Sequence, residues 1–256
     1  MTSTADLPDD AVPGAAPGGP PAGVALRARS VVASYGREPA LKGVSLTLHT
    51  GEILAVTGPS GSGKSTLLMC LAGILSPDAG DVFYGDRRIS GESEAMRSRL
   101  RRREFGVLFQ FGQLVPELSA AENVALPLLL DGRRRGPAMV AAMTWLQRFD
   151  VGALADVRPP QMSGGQAQRV AIARAMVTEP QILFADEPTG SLDSLNGEQV
   201  MTQVTRVVRE AGTSVILVTH DARIAAYGDR EIQLLDGQLA DVSVEGEHLL
   251  VGHEQS

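Results

Sequence analysis

Apolar and polar positions alternate from Leu41 to Leu48 (LKGVSLTL), the two-residue period of a strand with one buried face. From Ile53 to Thr57 (ILAVT) the alternation gives way to a short, largely apolar run, which predicts another strand. Ser65 to Ala72 (STLLMCLA) then has the length and composition of a helix. The same order returns later in the chain: an apolar run at Ile182 to Ala185, helical spacing from Glu198 to Glu210 stopped by Gly212, and a further apolar run at Ser214 to Thr219 (SVILVT). Strands alternating with helices predict a mostly parallel sheet covered on both faces. Between the two halves, over about residues 90–161, the pattern is more helical and more charged, as expected of a helical subdomain inserted into an α/β core.

The ends break this pattern. Residues 1–24 are rich in Pro, Ala and Gly, carry Asp6, Asp9 and Asp10, and lack both the basic start and the apolar centre of a signal peptide, so they read as a disordered extension. The main domain is expected over residues 25–240. Residues 241–256 form a C-terminal tail, and the weak alternation from Gln238 onward fits either a closing hairpin or a loose end.

With 256 residues, 43% of them hydrophobic and 21% charged, the chain can bury a sizeable core. Its net charge of −7 argues against nucleic acid as a partner, because binding to phosphate backbones calls for a basic surplus. Cys70, the single cysteine, cannot form an internal disulfide and reads as a small buried hydrophobe in a reducing compartment. No stretch approaches the roughly 18 consecutive apolar residues of a membrane-spanning helix. Two basic clusters, Arg97 to Arg103 (RSRLRRR) and Arg133 to Arg135, read either as solvated surface or as a contact for anionic lipid or an acidic partner loop.

The candidate chemistry begins where the first apolar run meets its helix. Gly58-Pro59-Ser60-Gly61-Ser62-Gly63-Lys64-Ser65 matches the G-x-x-x-x-G-K-[ST] pattern, in which glycines let backbone N–H groups curl around a phosphate. Lys64 would face the β- and γ-phosphates, Ser65 would bind Mg²⁺, and Thr66 follows at the helix start, whose positive end adds to the field. The apolar run at Ile182 ends in Asp186 and Glu187. The first can act on the metal side and the second can polarise a water aligned with the γ-phosphate. Ser163-Gly164-Gly165-Gln166 opens a second helical run (RVAIARAM) and makes a second anion-binding terminus. One nucleotide needs one cradle, so two cradles in a chain predict a head-to-tail dimer in which each copy closes over the other's nucleotide.

In this order and spacing the motifs resemble the ABC ATPase family from about Leu26 to Leu239. The resemblance implies a P-loop NTPase fold of the ABC ATPase kind: α/β, with a mostly parallel core sheet, an antiparallel β subdomain and the inserted helical subdomain. It implies ATP and Mg²⁺ as cofactors and hydrolysis of ATP to ADP and phosphate. It further implies that Tyr35 stacks on adenine, that Gln110 links Mg²⁺ and the attacking water to a transport subunit, that Asp193 spans the dimer interface and that His220 contacts the γ-phosphate. Met162 stands where leucine is usual, an exchange of similar volume. The segment Phe105 to Leu130 most resembles the group of macrolide exporters, lipoprotein-release ATPases and the cell-division protein FtsE. That implies a location at the cytoplasmic face of the membrane through a permease of the FtsX or MacB kind. The surface around Phe109, Phe111 and Leu114 would either receive that permease or pack in the core. Export or extraction of a peptide, drug or lipid is the first functional expectation. FtsE-like control of a cell-wall hydrolase is the second. The soluble ABC proteins of DNA repair or translation are a third class, whose coiled coils, zinc cysteines and tandem units this sequence does not show.

Overall fold

The computed structural model describes residues 23–36, 38–109, 114–190 and 192–240, apart from the side chains of Tyr35 and Ser194. Of the tails expected over 1–24 and 241–256, residues 1–22 and 241–256 lie outside the described residues. Val24, grouped with the N-terminal extension by its composition, instead opens the first strand and pairs with His49.

β1 (Val24–Tyr35) and β2 (Glu38–His49) form a long antiparallel pair and lead into β3 (Ile53–Thr57) and α1 (Lys64–Leu71). β4 (Ala79–Tyr84) and β5 (Arg87–Arg88) complete a four-stranded antiparallel sheet in the order β2-β1-β4-β5. Next come α2 (Glu94–Arg103), β6 (Phe105–Leu108), α3 (Ala120–Leu130), α4 (Arg135–Arg148) and α5 (Gly164–Met176). The chain then runs through β7 (Ile182–Asp186), α6 (Ser194–Ala211), β8 (Ser214–Val218), α7 (Ala222–Ala225), β9 (Arg230–Leu235) and β10 (Gln238–Leu239). A six-stranded sheet, β10-β9-β3-β8-β7-β6, is parallel except for the antiparallel β9–β10 hairpin at its edge.

The apolar runs sit in the middle of this sheet because all five residues of β3, β7 and β8 are buried. Their side chains alternate between two cores, as strand geometry requires. Ile53, Leu183, Ala185, Val215 and Leu217 face the helical core built with α3, α4, α5 and α6. Leu54, Val56, Phe184, Ile216 and Val218 face the core shared with α1 and the antiparallel sheet. Phe184 is fully buried and meets Phe105 edge to face at 5.2 Å, so truncating it would cost about 3–5 kcal/mol.

The stretch 90–161 is not helical throughout. Phe105 to Leu108 pairs in parallel with Ile182 to Ala185 and forms the edge of the core sheet, so the insertion is interrupted by a core strand. Ser119 caps α3 reciprocally with Glu122. Asn123, fully buried, accepts from Val115 N–H and donates to the carbonyls of Val115, Leu118 and Ser119, which fixes the loop entering α3. No described helix is long and apolar enough to cross a membrane.

Candidate nucleotide site

The parallel register brings the carboxyl ends of neighbouring strands to one edge: Val56 lies opposite Val218, Asp186 opposite Val218, and Leu108 opposite Ala185. The phosphate-loop motif leaves β3 there, Asp186 and Glu187 end β7, and Thr219 and His220 follow β8. Such an edge is where open α/β sheets hold ligands.

The loop between β3 and α1 depends on glycine at two crowded places. Gly58 has φ 140°, and a Cβ there would stand 2.1 Å from the Leu234 carbonyl oxygen. Gly63 has φ 100°, and its Cβ would stand 2.4 Å from the Ala40 carbonyl oxygen. Gly63 is also the N-cap of α1, so no side chain caps that terminus and its first N–H groups remain for an anion. Lys64, buried to 8% exposure, donates to the carbonyls of Gly58 and Pro59 at 2.8 Å each. Its ammonium is thus held across the mouth of the loop. The hydroxyl of Ser62 is buried without a hydrogen-bond partner.

Across from the loop, Asp186 is 6% exposed and accepts a hydrogen bond from Ser65, but its Oδ1 is buried with no partner among the described residues. Burial pushes its carboxyl above the usual range and neighbouring Glu187 adds to this, against the opposing pull of Ser65 and Lys64. A hydroxyl and a buried, under-bonded carboxylate form a hard oxygen donor set, and such a pair fits Mg²⁺.

Glu187 has φ 48°, in the left-handed region that non-glycine residues rarely adopt, and its N–H donates to Val218 at 2.9 Å. Its Oε1 accepts from the His220 N–H at 3.1 Å and lies 2.6 Å from His220 Nδ1, while Thr219 donates to Oε2 at 3.3 Å. The His220 side chain is 61% exposed, so it tethers Glu187 while reaching into the open edge. Sequence reasoning missed Thr219, whose signal is its place at the end of an apolar strand. It also missed Gln168, which donates from α5 to the Pro188 carbonyl at 2.5 Å, next to Glu187.

Ser163 is the N-cap of α5, accepting from Gln166 N–H while the Gln166 side chain accepts from Ser163 N–H. The cap serves the third residue of the helix, so among the described residues the N–H groups of Gly164 and Gly165 have no side-chain partner. A Cβ on Gly164 would touch Leu192, which places this terminus beside Asp193. Among the described residues no hydrogen bond joins it to the 58–65 loop. Asp193 caps α6 through Asn196, and those bonds, first the one from the backbone, hold its carboxyl below the usual range. The Tyr35 side chain and all of Gln110 lie outside the described residues.

A family model described as ABC transporter matches residues 41–190. The chain belongs to the ABC transporter family. Like other ABC ATP-binding subunits it binds ATP and hydrolyses it in a reaction coupled to transport. It is 41% identical over 197 residues to a lipoprotein-releasing system ATP-binding protein, LolD, of Shewanella denitrificans, covering 77% of this chain and 84% of the relative. A second such protein, from Caulobacter vibrioides, is 44% identical over 201 residues, 78% of this chain and 88% of the relative. Among solved structures, a dimeric ATP-binding cassette bound to ADP and Pi superposes with a TM-score of 0.77 at 37% identity, over 84% of this chain and 96% of that one.

This ABC ATPase carries a second feature away from the phosphate loop. A groove of about 360 Å³ opens between α2, β6, α3 and α5, lined by Ile74, Phe105, Val107, Phe109 and Pro127, with Arg101 and Arg174 at its polar side. Phe109 lines this groove and also packs against the core shared with α1 and the antiparallel sheet, and Leu114 packs against the helical core. Phe111 lies outside the described residues.

Proposed function

We propose that two copies of this chain close on two ATP molecules at the cytoplasmic face of the membrane and drive a separate permease that extracts or exports a lipidated cargo. The observation that carries the reading is the uncapped α1 terminus facing a buried, under-bonded Asp186, with Glu187 next to it at the same sheet edge. The loop N–H groups and Lys64 hold the β- and γ-phosphates once the lysine leaves its carbonyl partners. Ser65 and Asp186 hold Mg²⁺, with Gln110 as a further ligand, and the ion when bound offsets charge on the β- and γ-phosphate oxygens. Glu187 takes the proton of a water aligned with the γ-phosphate. Thr219 and His220 fix the direction of its carboxylate, and His220 also reaches the γ-phosphate. Tyr35 stacks on adenine.

Ser163 to Gln166 of one copy contact the γ-phosphate bound by the other, with Asp193 at the interface; the dimeric state of the solved cassette supports this arrangement. Closure and reopening of the pair are the work stroke. The apolar groove beside Phe109 receives the permease. Identity of 41–44% to lipoprotein-releasing ATP-binding proteins supports release of a lipidated cargo over control of a cell-wall hydrolase.

The test is size-exclusion chromatography of Glu187→Gln with Mg²⁺ and ATP. A shift from monomer to dimer is expected, and Ser163→Arg should abolish it. A variant that binds ATP and stays monomeric refutes the shared site. Reconstitution with the co-purifying permease and release of a lipoprotein from proteoliposomes tests the cargo.

A further inference from the structure

The two basic clusters, about 30 residues apart in sequence, are drawn together by one acidic residue. Asp131, in the turn after α3, accepts from Arg103 of α2 at 2.9 Å and lies 3.9 Å from Arg102. The same turn continues into Arg133 and Arg134, both exposed. Against α2 lies a cleft of about 350 Å³ lined by Arg87, Met96, Arg99, Leu100, Arg103 and Glu104. The acids that meet these arginines are engaged, Glu92 by Arg87 and Asp131 by Arg102 and Arg103, and Glu104 accepts from the Tyr84 hydroxyl; exposed Asp86, beside Arg87, has no ion pair among the described residues. Among the described residues Arg99, Arg133 and Arg134 have no acidic partner. Leu130, beside Asp131, is 68% exposed.

We infer that this face, Arg99, Arg103, Arg133 and Arg134 with exposed Leu130, is a membrane contact that binds anionic phospholipid headgroups. Charge complementarity argues for it: a chain of net charge −7 would be repelled from an anionic surface unless its positive charge were gathered on one face. An exposed apolar side chain next to Asp131, the residue that Arg103 reaches, and three positions before exposed Arg133 suits the boundary between headgroups and acyl chains. Continuity with the groove argues for it too, since α2 and α3 supply both the patch and, through Arg101 and Pro127, the wall of the groove assigned to the permease. The inference rests on the proposed function only for this orientation.

The experiment is flotation of the full-length protein with vesicles of phosphatidylcholine alone or with about a third phosphatidylglycerol, at low and high salt. Binding to the anionic vesicles only, reversed by salt, is expected. Each arginine near such a surface changes partition by about fivefold, so the triple variant R99Q/R133Q/R134Q should bind about a hundredfold more weakly. Its thermal unfolding and basal ATPase should be unchanged, because none of the three touches the nucleotide site. Equal binding to both vesicles, or full binding by the triple variant, overturns the inference. So does no binding to anionic vesicles, and patch-dependent binding of a polyglutamate peptide in that case would identify an acidic protein segment as the ligand. No permease is present in this assay, so its failure leaves the dimer test of the proposed function untouched.

Discussion

Replacing Asp186 by Asn should stabilise the nucleotide-free protein while removing its response to Mg²⁺ and ATP. The carboxylate is 6% exposed, its Oδ1 has no hydrogen-bond partner among the described residues, and burial raises its pKa. Leaving a buried charged oxygen unpaired costs about 1–3 kcal/mol or more. Asn keeps the shape and an acceptor for Ser65 but leaves its own N–H group unpaired, so the net gain is about 1 kcal/mol, or about 2–4 °C in Tm. With a folded-state pKa above that of the unfolded chain, the carboxyl is neutral in both states at low pH and carries its full penalty only when ionised in both. The wild type should therefore lose stability relative to the variant as pH rises from the ordinary aspartate value through the raised one, and the difference should level off above it.

Ligand reverses the sign. At a hundred times Kd, Mg²⁺ and ATP should stabilise the wild type by about 2.7 kcal/mol, and the variant by much less. Differential scanning fluorimetry across pH, with and without Mg²⁺ and ATP, reads both effects. A variant less stable than the wild type without nucleotide, or equally stabilised by Mg²⁺ and ATP, would refute the reading of Asp186 as a carboxylate held ready for a cation.

Glu187→Gln should retain ATP binding in a fluorescent-nucleotide titration and lower steady-state turnover by about a hundredfold or more. Gly58→Ala places a Cβ 2.1 Å from the Leu234 carbonyl and should weaken ATP binding in calorimetry by at least about tenfold through displacement of the loop. Asn123→Ala leaves the Val115 N–H and the Leu118 carbonyl without a partner among the described residues, while the Val115 and Ser119 carbonyls keep their backbone donors, and should lower urea-unfolding stability by about 2–4 kcal/mol. Ser163→Ala removes the α5 cap, costing about 1 kcal/mol in thermal unfolding, and should reduce ATPase activity at concentrations where the wild type dimerises.

The parts of the fold legible in sequence are those in which local pattern and burial agree. β3, β7 and β8 are apolar except for Thr57, Asp186 and Ser214 at their ends because both faces are covered, and α6 stops at Gly212 because that residue adopts φ 68°. β6 was hidden for a physical reason. Phe105-Gly-Val-Leu108 is only four residues long, follows a helix with five arginines, and becomes a strand by pairing with β7 rather than by its own period. β1 was hidden differently: its repeated register shifts against β2 break the two-residue alternation that marks a strand in sequence. The site followed the same rule. The phosphate loop, Asp186 and Glu187 declare themselves by spacing, whereas Thr219 and Gln168 matter only because folding carries β8 and α5 to Glu187.

The two helix termini that sequence assigned to anions prove unequal, and the inequality bears on why the functional unit would be a pair. Gly63 gives α1 no side chain with which to cap itself, so its donors stay directed into the sheet edge where Lys64 and Asp186 meet them. Ser163 caps α5 but satisfies only the third N–H, and it lies exposed beside Leu192 and Asp193, with no hydrogen bond to the loop of its own chain among the described residues. Unsatisfied helix donors at an exposed terminus attract an anion, and on the proposed function the phosphates within one copy belong to the other terminus. A nucleotide brought by a second copy meets both conditions, and dimerisation would then depend on γ-phosphate rather than on surface area alone.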